Sequence, residues 1–121
     1  MQKIFINHTN HPTDSWTETE RKAAEVYGKV KEIAFPAIDP EWDETKIGQL
    51  AQENGKKILS MNPAAVLCQG EFTYCFALVT FLKAHGVTVL SACSTRETET
   101  WAQGDGNLKI SKFVFVRFRR Y

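Results

Sequence analysis

Two imidazoles, His8 and His11, bracket Thr9 and Asn10 near the start of the chain. Imidazole exchanges a proton near neutral pH, so such a pair in a polar segment points to general acid–base work or to phosphate contact. The His-x-x-His spacing also suits a metal, but no Cys, Asp or Glu at useful spacing completes a ligand set, and neither metal nor cofactor is expected. A second group, Gln69-Gly70-Glu71-Phe72-Thr73, follows an apolar run. A glycine at a strand-to-helix turn leaves backbone N–H groups free to hold a phosphate, or is simply a tight turn. Glu71 opposes an anion there unless it is protonated or serves as a base. The third group, Ser94-Thr95-Arg96-Glu97, offers hydroxyls and a guanidinium suited to bidentate phosphate contact, or a surface ion pair of Arg96 with Glu97 or Glu99. Trp16 can stack on a base or anchor a helix.

These groups need elements to converge them. Residues 3–8 place Ile4, Phe5 and Ile6 in succession, the mark of a strand covered on both faces. A polar loop over 9–17 follows, in which Ser15 or Thr17 caps a helix with Ala23, Ala24, Val26 and Tyr27 buried and Gly28 at its end. Residues 31–38 read as a second strand, pushed to a sheet edge by Pro36. A helix is expected over 42–61, loosened by Gly48 and Gly55, then a third strand over 64–69. The helix over 72–85 is apolar nearly all round and ends at Gly86, so a partner subunit is expected on one of its faces. A fourth strand at 87–94 completes a parallel sheet with right-handed crossovers. Residues 103–107 then turn an antiparallel hairpin whose last arm is 109–121. In that arm strict alternation sets Phe113, Phe115, Arg117 and Arg119 against Val114, Val116, Phe118 and Arg120.

The expected architecture is therefore α/β, a three-layer Rossmann-like sheet of four parallel strands plus a C-terminal antiparallel β-hairpin, in a single domain over 1–121. In an open parallel sheet, ligands bind beyond the carboxyl ends of the strands where the winding reverses. That rule selects the loops 7–16, 69–73 and 94–97, and so Asn7, Thr9, Asn10, Gln69, Ser94 and Thr95 as ligand contacts. The absence of GxGxxG and GxxxxGK[ST] argues against a dinucleotide or Walker-type nucleotide site.

The 121 residues suffice for one core, and 43% hydrophobic with 24% charged residues is an ordinary globular composition. A net charge of +1 argues against general DNA or other nucleic-acid binding. No apolar run approaches the ~20 residues of a membrane span, and no leader pattern opens the chain, so a cytoplasmic protein is expected. Cys68, Cys75 and Cys93 lie in apolar segments and read as buried thiols.

The polar His/Asn loop after a short first strand, the segment VLCQGEFT, the STRE step and the closing FVRFRRY together resemble the small CRISPR-associated proteins of type III antiviral systems counted as ring nucleases. That resemblance implies a dimeric Rossmann-type domain related to CARF domains. It implies metal-independent cleavage of a cyclic oligoadenylate messenger, cyclic tetra-adenylate being favoured. The ribose 2′-OH attacks its own 3′ phosphate in line and leaves a 2′,3′-cyclic phosphate. For such a reaction the resemblance suggests Gly70 with the Glu71–Thr73 amides, Thr95, Asn10 and Arg96 at phosphate. It also suggests His8 or His11 in proton transfer, and Trp16 or Phe72 at adenine. Two alternatives stay open: a sensor or sponge that binds the messenger without cutting it, and a deoxyribosyltransferase-like enzyme with Glu71 as nucleophile.

Overall fold

The computed structural model describes residues 2–104 and 106–121. Strand β1 (Ile4–Thr9) runs through a short 3-10 turn (Thr13–Ser15) into helix α1 (Glu18–Glu25) and edge strand β2 (Lys29–Glu32). Helix α2 (Glu44–Ser60), strand β3 (Ala65–Gln69) and helix α3 (Phe72–Ala84) follow, and two long strands, β4 (Val89–Gln103) and β5 (Gly106–Arg120), close the fold. The result is an α/β protein with a mixed five-stranded sheet in the order β2-β1-β3-β4-β5. The first four strands pair in parallel, whereas β5 is antiparallel to β4.

Each face of the sheet buries its own cluster. Ile6, Val66, Cys68 and Val89 point to α2 and α3, meeting Ile47, Ala51, Ile58, Leu78 and Leu82. Phe5, Ala65, Leu67 and Leu90 point the other way, to Ala24 of α1 with Trp16, Tyr27 and Phe118 around them. Successive strand residues thus serve opposite cores, which is why the runs are apolar without alternation. Helix α2 runs unbroken through both glycines, and Gly55 is where the ring of Phe81 lies against the helix, so that a Cβ there would overlap that ring. Thr17, Asp43 and Glu71 cap the three helices through their side chains, and Gly86, at φ 78°, supplies the left-handed turn after α3.

Three boundaries depart from the sequence-based expectation. The second strand lies earlier and is shorter than 31–38, since its ladder ends where the Ile33 N–H donates to the Asn7 carbonyl, 3.0 Å away. Beyond it Ile33, Phe35 and Ile38 leave the sheet and pack on the α2/α3 core. Pro36, lacking an N–H, suits that release. The hairpin is not a separate appendage, because the fourth parallel strand is itself its first arm. Strand β4 pairs with β3 only at Val66↔Val89 and Leu67↔Leu90, then runs on with β5 alone as a two-stranded ribbon. Asp105, within the expected 103–107 turn, lies outside the described residues.

The third departure is a bulge. Cys93 pairs with Arg117 but Ser94 with Phe115, so Val116 is an extra residue in β5. Strict alternation therefore fails in the last arm. The bulge moves Phe115 onto the face of Phe118, with ring centroids 4.9 Å apart, and leaves Val116 exposed.

Candidate functional site

The winding of the sheet reverses between β1 and β3, the two central strands whose carboxyl ends are Thr9 and Gln69. A cavity of about 560 Å³ opens there on the α1 side. Thr9, Gln69 and Leu67 form its floor, His11, Ser15, Trp16, Thr17 and Glu20 one wall, and Ala92, Ser94, Phe113 and Phe115 the other. The volume lies within the roughly 300–1,000 Å³ usual for small-ligand sites. A second hollow of about 750 Å³ lies beside it, lined by Thr9, Asn10, Glu32, Glu71 and the apolar segment from Ala34 to Ile38. The second is larger, but its two carboxylates already serve the protein's own backbone, whereas the first gathers an imidazole, hydroxyls and aromatic rings.

The loop that carries His11 is held rigidly from below. Asn7 is fully buried, and its amide donates to the His11 carbonyl (3.0 Å) and to Glu32 Oε1 (3.2 Å). Thr9 Oγ1 accepts the His11 N–H at 3.1 Å and lies 2.9 Å from Asn7 Oδ1. Glu32 Oε1 also accepts the Thr13 N–H at 2.8 Å, tying the end of β2 to the same loop. Asn7 is thus a scaffold of the loop rather than a ligand contact, and the exposed His11 side chain is what the scaffold presents.

His8 faces the other way. It is fully buried on the α2/α3 side, with Nδ1 3.0 Å from the Ile33 carbonyl and Nε2 2.7 Å from the Tyr74 hydroxyl. A carbonyl only accepts, so Nδ1 carries the proton and Tyr74 donates to Nε2. Asn54 Nδ2 in turn donates to the Tyr74 oxygen at 2.9 Å. Burial pushes the Tyr74 pKa up to about 12, which keeps the donor protonated. Burial also lowers the pKa of His8, against the opposing pull of the Ile33 carbonyl. His8 is therefore a neutral link in a closed internal relay and cannot reach a ligand in the cavity.

Glu71 likewise has internal work. Its carboxylate accepts the Tyr74 N–H at 2.7 Å and the Thr73 N–H at 2.9 Å, and the Tyr74 bond is the main cause of its lowered pKa. The N-terminus of α3 is therefore already filled by an anion from its own chain, and the expected phosphate cradle of Gly70 with the 71–73 amides is closed. A nucleophilic role for Glu71 loses support for the same reason. Gly70 is required because the Phe35 ring lies where a Cβ would stand. Phe72 and Thr73 project to solvent outside the cavity.

Of the remaining expected residues, Thr9, His11, Trp16, Gln69 and Ser94 do converge on the cavity. The Gln69 carboxamide accepts the Ala92 N–H and so bridges the splayed ends of β3 and β4. Trp16 meets Phe5 edge-on at 6.1 Å, and its buried indole N–H has no hydrogen-bond acceptor among the described residues. Asn10 belongs to the second hollow. Thr95 and Arg96 lie on the ribbon beyond the cavity, and strand alternation puts Thr95 on the opposite face from Ser94.

Sequence reasoning missed Glu20, Phe113 and Phe115 as cavity walls. Glu20 was legible only as a favourable charge in the first turn of α1; in the structure burial raises its carboxyl pKa. Phe115 was hidden by the bulge. Among the described residues no cluster of three His, Cys, Asp or Glu side chains is placed to hold a metal. No helix among them is long and apolar enough to cross a membrane.

A family model for the uncharacterized protein MJ1673 family matches residues 3–119. The chain belongs to that family. No curated protein and no solved structure matches it. The matched span runs from the start of β1 almost to the end of β5, so the MJ1673 family unit includes the cavity, the bulge and the whole ribbon.

Proposed function

We propose that this protein is a CRISPR-associated ring nuclease of Rossmann-like, CARF-related architecture. In this reading it opens a cyclic oligoadenylate, cyclic tetra-adenylate first, without metal or cofactor, as a cytoplasmic homodimer. The observation that carries the reading is the cavity at the winding reversal, which is lined by an imidazole on a firmly bonded loop, a second titratable side chain and aromatic rings. His11 takes the proton from a ribose 2′-OH as that oxygen attacks the adjacent phosphorus. The bond from phosphorus to the 5′-oxygen breaks, and Glu20, whose burial favours the protonated carboxyl, returns a proton to the leaving oxygen. The products are a 2′,3′-cyclic phosphate and a 5′-hydroxyl. Thr9 and Gln69 on the floor and Ser94 on the wall lie beside the phosphate, and Trp16 flanks adenine. Self-association is supported by Phe72 and Phe76, one turn apart on α3 and 90% and 76% exposed. A two-fold dimer suits a ligand with repeated nucleotides.

The test is chromatography of cyclic tetra-adenylate after incubation in EDTA. Linear products ending in 2′,3′-cyclic phosphate are expected, with His11→Ala slower by a hundredfold or more. No turnover of any ring size at high enzyme would remove the proposal. One observation favours the sensor or sponge instead: among the described residues no Lys or Arg lines the cavity to stabilise a phosphorane. Stoichiometric protection of the intact ring, without products, distinguishes that reading.

A further inference from the structure

We infer that the base of the β4–β5 ribbon is a second half of the site, a track for the phosphodiester and base that follow the nucleotide held in the cavity. The inference rests on the oligonucleotide reading above, and its evidence is the way the ribbon sorts its side chains. Opposed residues of an antiparallel pair share a face. One face therefore carries Ser94 with Phe115, Arg96 with Phe113, Thr98 with Ser111, and Thr100 with Lys109. That face has two cations, four hydroxyls and no carboxylate over this span. Both acidic residues of the same stretch, Glu97 and Glu99, are on the reverse, where Glu97 lies 4.0 Å from Lys112 and Glu99 accepts the Trp101 N–H at 3.2 Å. The expected ion pair of Arg96 with either acid is thus excluded by alternation. Among the described residues Arg96 makes no salt bridge, and its one hydrogen bond is to the Ser111 hydroxyl at 3.3 Å.

This face is continuous with the cavity, because Ser94, Phe113 and Phe115 also form its wall. Phe113 is 74% exposed although it borders the site, and it stands directly across from the free guanidinium. An exposed ring beside an unpaired arginine is a platform for a base with its phosphate. The pair lies about 7 Å along the ribbon from Ser94, within reach of the next nucleotide. The bulge at Val116 aims this face: without it Phe113 and Phe115 would sit on the opposite side from Phe118.

The experiment measures binding of fluorescently labelled linear tetra-adenylate and of AMP to the full chain and its variants, over a salt series. Arg96→Gln and Phe113→Ala are expected to weaken tetra-adenylate about tenfold each, with Phe113→Tyr restoring affinity, and Arg96→Gln, which lies beyond the cavity, to leave AMP unchanged. Arg96→Gln should also flatten the salt dependence by about 0.7 in log–log slope, whereas Lys112→Gln on the reverse face changes nothing. Unchanged affinity and slope in Arg96→Gln and Phe113→Ala overturn the track, and if the wild type still opens the ring the proposed function survives that loss. Binding through Arg96 and Phe113 without any cleavage supports the track and removes the nuclease. A wild type that binds no oligoadenylate removes both.

Discussion

His8 and His11 are three residues apart and chemically identical in sequence, yet the structure gives them opposite duties. One closes a buried relay, and the other is displayed at the cavity. His8→Ala strands the Tyr74 hydroxyl and the Ile33 carbonyl, which costs about 3 kcal/mol or more in urea unfolding. His11→Ala should leave the unfolding midpoint unchanged and slow turnover by a hundredfold or more. Acid should act through His8 as well. Its folded pKa lies below the ordinary 6.5, so the unfolded chain takes up the proton first. The stability it contributes is complete above about pH 6.5 and falls as the pH drops toward the folded value. Melting temperatures at pH 7.5 and 5.5 should show that decline, and His8→Phe should flatten it. Glu71 acts in the same direction at lower pH, because its depressed pKa stabilises the fold above the ordinary carboxylate range and not below it. Removing this cap by Glu71→Ala should cost about 1 kcal/mol without a direct effect on chemistry. Residue type showed which side chains can carry protons. Partner and direction come from tertiary packing, here Phe35, Ile33 and Tyr74 closing over His8 from segments 25 or more positions away.

At the scale of elements, the alternation of strands and helices was readable because buried parallel strands are unbroken apolar runs and the helices carry recognisable caps. The loops at the strand ends were readable too, and five of the residues they nominated do meet at one cavity. A single inserted residue has no such signature. Val116 looks like any other β-branched residue in an aromatic strand, but it reverses the face of everything on the ribbon side of it. An alanine inserted between Cys93 and Ser94 would give Val116 a partner and turn the ribbon over, and should therefore preserve helix content and cooperative melting while tetra-adenylate binding is lost. The close contact of α2 and α3 was likewise invisible, since Gly55 reads as a helix weakness until Phe81 is seen lying on it. Gly55→Ala improves intrinsic helix propensity yet should lower stability by roughly 1–3 kcal/mol, measured by urea denaturation, as the ring is forced aside.

For the whole molecule, the central division is between a doubly packed sheet and the outer part of the ribbon, where the described residues of 97–111 are all exposed. The surplus apolar surface expected of α3 is largely spent inside the monomer on α2 and the sheet, through Tyr74, Cys75, Leu78, Val79 and Leu82. What is left is a pair of rings at its start. Phe72→Asp with Phe76→Asp should yield a monomer by light scattering that still melts cooperatively, at a temperature independent of protein concentration; a wild type that is already monomeric would rule out the dimer. Replacing residues 98–111 by an Asn-Gly turn flanked by the Glu97↔Lys112 pair should keep the fold intact, because none of the described residues among them belongs to either core cluster.

The indole of Trp16 makes the cavity its own optical gauge. A half-buried indole whose shielded N–H lacks an acceptor among the described residues emits to the blue of Trp101, which is exposed to water on the ribbon. A guest that stacks on Trp16 or offers it an acceptor will dim or redden the blue component alone. Occupancy of the site and movement of the ribbon are therefore separable by colour in the unmodified protein, with Trp42, held under Lys46 on α2, as the internal standard.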